Sequence, residues 1–142
     1  MANAIGVAGQ QATMTPATFV SETVAADIAA GLPVELSDNN ACKPGTGSVG
    51  TFIGIHCPAV VGHKALADDN ESARLIQQGD VWVTVAAAVS AGDAVGYTST
   101  GTFAKAATST YPNAITGAYF VHDADKDGVA LVRLNGVATT SL

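Results

Sequence analysis

The side chains most suited to chemistry stand in one run, DADKDG, where Asp123, Asp125, Asp127 and Gly128 match the opening of a calcium-binding loop of the D-x-[DN]-x-[DN]-G type. Calcium takes about six to eight oxygen ligands, and a loop of this type closes on a bidentate Glu at its last position. That position is Leu134 here, and no Glu follows Glu71. The missing oxygens would have to come from backbone, water or a neighbouring subunit. An acidic hairpin turn explains the same residues more simply, because Asp127-Gly128 suits the positive φ angles of tight turns. The run is therefore read as a turn, and no metal is assigned.

His56, Cys57, His63 and Cys42 are zinc-ligand types, but a tetrahedral zinc site wants its ligands in short paired spacings. His56 alternates with Ile53 and Ile55 and is expected to point outward or to lie at an interface. The loop GTGSVG, residues 45–50, lacks the strand-to-helix frame of a nucleophile elbow and the Gly-Lys-Ser/Thr ending of a phosphate cradle. Asp68 and Asp69 form the one carboxylate pair, placed in an expected surface turn where their proton affinities would not be driven apart. No arrangement of residues points to an active site.

The bounds on function come next. Charged residues are 13% of the 142, against about 25% in ordinary globular domains. So neutral a surface suits packing against copies or a partner, and suits equally a plain β-domain with neutral loops. Six basic residues, Lys43, Lys64, Arg74, Lys105, Lys126 and Arg133, stand singly against twelve acids. Binding to nucleic acid draws on clustered Lys and Arg, so direct contact with DNA or RNA is not expected. An anionic membrane is disfavoured for the same reason. The first residues, MANAIGVAGQQATMT, carry neither the cationic start nor the apolar core of a signal peptide. Cys42 and Cys57 are then expected as reduced, apolar thiols, although a bridge between neighbouring strands would be geometrically possible.

The elements that would position these residues are short. Residues 1–20 are small and uncharged, read as an extended or mobile N-terminal arm. From there to residue 142 the chain reads as one β domain, a small sandwich or barrel of short antiparallel strands. The segment opening at Phe19 and Val20 is read as strand. Further strands are expected at Leu32–Leu36, Thr51–Cys57, Ala73–Gln77, Val81–Ala86, Ala94–Tyr97, Ile115–His122 and Gly128–Leu134. QQGD, residues 77–80, is expected as a hairpin turn. Residues 65–77 are open to a helix capped at Asn70 or to loop followed by strand.

One phrase stands twice. IAAGLPVELSDNNA at residues 28–41 aligns with VSAGDAVGYTSTGTF at residues 89–103, placing Gly31 on Gly92 and Val34 on Val95, and onward TFIGIH on AITGAYF. Two similar β-units, residues 28–57 and 89–120, would account for it. The strands carrying Gly54 and Gly117 are expected to bend.

GDVWVTV, VSAGDAVGY, AITGAYF and VALVRLNG, in this order, resemble the capsid decoration, or cement, proteins of tailed bacteriophages. The likeness covers roughly residues 28–137 and lies in strands and turns, with no catalytic signature. It implies a β-rich virion protein, made in the host cytoplasm, on the outer surface of the assembled head. There it would bridge major capsid subunits as a dimer or trimer, needing no cofactor and acting as no enzyme. Trp82, Tyr97, Phe103, Tyr119 and Phe120 are the large aromatics of the matching region, each open to core packing or to interface anchoring. Arg133 is the polar candidate for a subunit contact, with a solvated strand position as its alternative. A soluble binding module holding a glycan on Trp82 and the tyrosines is the competing class. A small hydrolase would need a triad around His56, His63 or His122 that the sequence does not show.

Overall fold

The computed structural model describes residues 6–11, 17–36, 41–45, 52–59, 63–67, 71–98, 102–106 and 114–135. They form nine strands: β1 Thr18–Thr23, β2 Pro33–Leu36, β3 Cys42–Pro44, β4 Phe52–His56, β5 Ser72–Thr84, β6 Ala94–Tyr97, β7 Phe103–Lys105, β8 Ala114–Phe120 and β9 Val129–Asn135. No α-helix occurs among the described residues, so the chain is all-β. The strands make one curled antiparallel sheet in the order β3-β2-β4-β5-β9-β8-β6-β7, with β1 on the other edge of β5.

β5 is the spine. Its first half pairs β1 on one edge and β4 on the other, and its second half pairs β9. The expected hairpin at QQGD does not form. Gln78 pairs with both Thr18 and Asn135, and Gly79 and Asp80 pair with Leu134 and Arg133, so hydrogen-bonding partners hold this stretch extended. Local turn propensity loses to saturated strand edges. Gly79 absorbs the irregularity at φ 123°, where a Cβ would stand 2.9 Å from that of Ala17. Of the segment open to a helix, residues 72–77 are the start of β5 and residues 68–70 lie outside the described residues.

The backbone of the first half recurs in the second. Gly31 N–H donates to the His56 carbonyl at 2.8 Å, and Gly92 N–H to the Phe120 carbonyl at 2.7 Å. The reciprocal bonds are His56 N–H to the Leu32 carbonyl and Phe120 N–H to the Asp93 carbonyl, both at 3.0 Å. Cys57 N–H donates to Arg74 as Val121 N–H does to Leu131. Each half then curls on itself: Val24 bridges Cys42 and Val85 bridges Phe103, both in parallel. β2 slips register against β4 at Val34/Glu35, opposite Gly54, and β6 slips against β8 between Ala94 and Gly96.

Two cores result. The smaller joins Val24, Ile28, Val34, Cys42, Ala73 and Leu75. The larger fills the second half and takes in Phe52, Ile55, Cys57 and Ile76 from the first. β5 runs between them, so the adjacent Leu75 and Ile76 are both fully buried although their side chains leave opposite faces. Cys42 and Cys57 are free and buried in different cores. Burial, with Glu22 nearby, pushes the Cys42 thiol up to about 11, and burial raises Cys57 as well.

His56 corrects its expected outward position. It is 1% exposed, and its Nδ1–H donates to the Ala29 carbonyl at 3.1 Å, bracing the Gly31 turn. Both faces of β4 are covered, so alternation does not report exposure there. Burial lowers the His56 pKa from its usual value. The unfolded chain therefore binds a proton that the fold resists. The stabilisation is fully present above about pH 6.5 and is lost as pH falls through the folded value. Melting temperature measured from pH 7 to pH 5 is expected to fall, and His56→Gln to flatten that slope. An unchanged slope in the variant would remove His56 as its source.

Candidate interaction surface

Where β5, β9 and β8 lie side by side, the alternation that buries Val81, Val83, Val132 and Leu134 turns Trp82, Thr84 and Arg133 outward. Asp80 and Arg133 are direct partners across β5 and β9. Their side chains form a two-bonded fork, with Arg133 Nε donating to Asp80 Oδ1 at 2.8 Å and Nη2 to Oδ2 at 2.9 Å. Arg133 Nη1 donates to the Tyr119 hydroxyl at 3.1 Å, and the guanidinium carbon lies 5.8 Å from that ring's centre. Hydrogen bonding to Asp80 and then to Tyr119 raises the Arg133 pKa further, so the group is a fixed cation. Asp80 is 3% exposed. The fork thus holds the planar Arg head at the surface in one orientation.

Beside it lies a half-open cleft of about 520 Å³ lined by Trp82, Ala91, Val121, His122, Asp123 and Leu131 among others. Asp123 Oδ1 accepts the Ala91 N–H at 2.8 Å and fixes the Ala91-Gly92 turn against the cleft. The DADKDG run is a turn: Gly128 N–H donates to the Asp125 carbonyl, and Asp127 adopts φ 64°. No cluster of three or more His, Cys, Asp or Glu suited to a metal occurs among the described residues. His56, Cys57 and Cys42 are buried apart from His63, whose Nε2 meets Glu71 Oε2 at the surface. Asp68, Asp69 and residues 46–50 of the glycine-rich loop lie outside the described residues.

The candidate side chains therefore divide. Trp82, Tyr119 and Arg133 are half-buried and gather on one outward face. Tyr97, Phe103 and Phe120 are at most 1% exposed and pack inside. Tyr97 stacks between Phe52 and Phe103 at 5.6 and 6.1 Å, and its hydroxyl donates to Glu35 Oε2 at 2.8 Å, tying β6 of the second half to β2 of the first. Asp80 and Glu35 were not singled out from the sequence. Their partners lie 53 and 62 residues away, and only strand pairing reveals them.

Residues 6–11 of the expected arm also meet this region. Gly9 N–H donates to the Trp82 carbonyl at 2.7 Å, Trp82 N–H to the Gln10 carbonyl at 3.0 Å, and Gln11 bridges Val81. Gly6 lies against the Trp82 indole. Gly9, at φ 83°, faces Gly31, at φ 85°, so closely that a Cβ on Gly9 would stand 2.5 Å from the Gly31 nitrogen.

A family model described as structural cement protein (E217 gp24/Pam3 gp6) matches residues 1–135. Among solved structures, one described as the capsid of Myoviridae phage XM1 superposes with a TM-score of 0.72 at 23% identity, covering 93% of this chain and 91% of that one. At that identity the likeness is one of fold. No curated protein matches the chain.

Proposed function

The chain belongs to the family of phage structural cement proteins, and from that membership we propose that it binds the outside of the assembled head and bridges neighbouring major capsid subunits. A structural role in the virion follows from the family, and it is a non-enzymatic one. The match over residues 1–135 is the observation that carries this reading, because it spans both halves of the sheet and the arm. The physics supports it. A protomer that touches several subunits makes its later contacts intramolecular, so modest interfaces suffice to hold a shell. A weakly charged surface limits repulsion between close copies, consistent with a dimer or trimer on the particle.

The outward face supplies the means. Trp82, Tyr119 and the forked Arg133 combine aromatic area with one rigid cation, a composition suited to interface anchors. A glycan-binding module would instead stack a sugar on Trp82, whose ring Gly6 covers on one side and which lines the cleft on another.

Quantitative mass spectrometry of purified particles tests the reading. The chain is expected at a fixed simple ratio to the most abundant shell protein, and particles stripped of it are expected to break at lower temperature. Absence from particles would overturn the proposal.

A further inference from the structure

The two halves carry equivalent turns, one covered and one bare. In the first half, Ala8 and Gly9 lie on the Ala30-Gly31 turn, and the Gln11 backbone comes near the Cys57 thiol. Gly31 is buried and Cys57 is fully so. Matching hydrogen bonds place Ala91, Gly92 and Val121 at the same positions of the second half. There Gly92 is exposed, with none of the described residues within 4 Å of its Cβ position, although its φ of 89° is close to the 85° of Gly31. Val121 is half-buried, and with Ala91 it lines the cleft beside Trp82.

Resting on the cement reading above, we propose that this cleft holds an uncharged, glycine-containing turn of the major capsid protein. The first half shows what such a turn accepts. Its occupant, GVAGQQ at residues 6–11, has no charge, turns where Gln10 N–H donates to the Val7 carbonyl, and brings a glycine onto the turn glycine because any Cβ there would meet backbone. The second turn offers the same backbone without its cover. Apolar walls from Trp82, Val121 and Leu131 favour small apolar side chains, and Asp123 with Asp125 on the lining disfavours an acidic segment. The chain's own residues 6–11 are engaged at Gly31, so that segment does not cover the second turn as well.

The test uses the full chain carrying a photo-crosslinking phenylalanine analogue at position 91 or, as control, at the exposed position 64 of the first half. Particles bearing either form are irradiated, digested and read by mass spectrometry. Position 91 is expected to yield one capsid-protein peptide, containing glycine and lacking charge near the crosslink, and that product is expected to be lost from position 64. Crosslinks from position 91 only to another copy of this chain, only within the chain, or to a charged capsid segment would overturn the proposal. Occupancy of the particles is measured before irradiation. A chain absent at that stage overturns the cement reading itself, whereas a chain present without the crosslink overturns the cleft alone.

Discussion

Tyr97→Ala is expected to cost about 4–5 kcal/mol, close to the whole stability of a marginal domain. Tyr97 is 1% exposed and is the largest fully buried side chain among the described residues. Removing its ring opens a cavity between Phe52 of β4 and Phe103 of β7, at the junction of the two halves. The same change takes away the phenol that donates to Glu35, a carboxylate with no exposed surface. Tyr97→Phe separates the two contributions. It keeps the ring and removes only the hydroxyl, with an expected loss of about 1–2 kcal/mol. Burial, and then the Glu35 carboxylate, hold the phenol well above its usual range, so the hydroxyl remains a donor at every ordinary pH. Urea unfolding of the three chains reads both terms. Equal losses for the two variants would mean that the hydrogen bond, and not the ring, ties the halves together.

The paired turns make a second, internally controlled prediction. Gly31→Ala and Gly92→Ala place a methyl group at nearly the same positive φ, 85° and 89°. That backbone strain costs about 1–2 kcal/mol at either site. Gly92→Ala should stop there, since its Cβ position is open. Gly31→Ala should cost about 3 kcal/mol in all, because its Cβ would stand 2.8 Å from the Gly9 nitrogen and the arm must move. Displacement of the arm also lifts Gly6 from Trp82, the only tryptophan in the chain. Red-shifted fluorescence is therefore expected for Gly31→Ala and unchanged emission for Gly92→Ala. Similar losses with the same spectrum in both would show that the arm contributes nothing at the first turn. Gly9 and Gly31 touch, so their alanine variants are expected to be non-additive when combined.

Several elements were legible because short-range chemistry writes them. Val81, Val83 and Val85 alternate with Trp82 and Thr84, and this period of two sets a strand with one face inward. Ala94–Tyr97 lies between turn residues on both sides and forms β6 over the same span. Where neighbours decide, the local signal fails. QQGD has the composition of a turn, yet β1 and β9 hold it extended. His56 alternates as an outward residue should, yet both faces of its strand are covered.

Periodicity, turn residues and composition act within a few positions, and they suffice to mark the chain as all-β and only weakly charged; the likeness to phage cement proteins rests separately on the order of its motifs. The tertiary structure alone decided that Trp82, Tyr119 and Arg133 share an outward face while Tyr97 and Phe103 do not. It alone joined Asp80 to Arg133 and Glu35 to Tyr97, and left one of two matching turns uncovered by the described residues. These facts depend on which distant strands become neighbours. Sheet pairing settles that through backbone groups that every residue carries alike, so no side-chain pattern along the chain announces it.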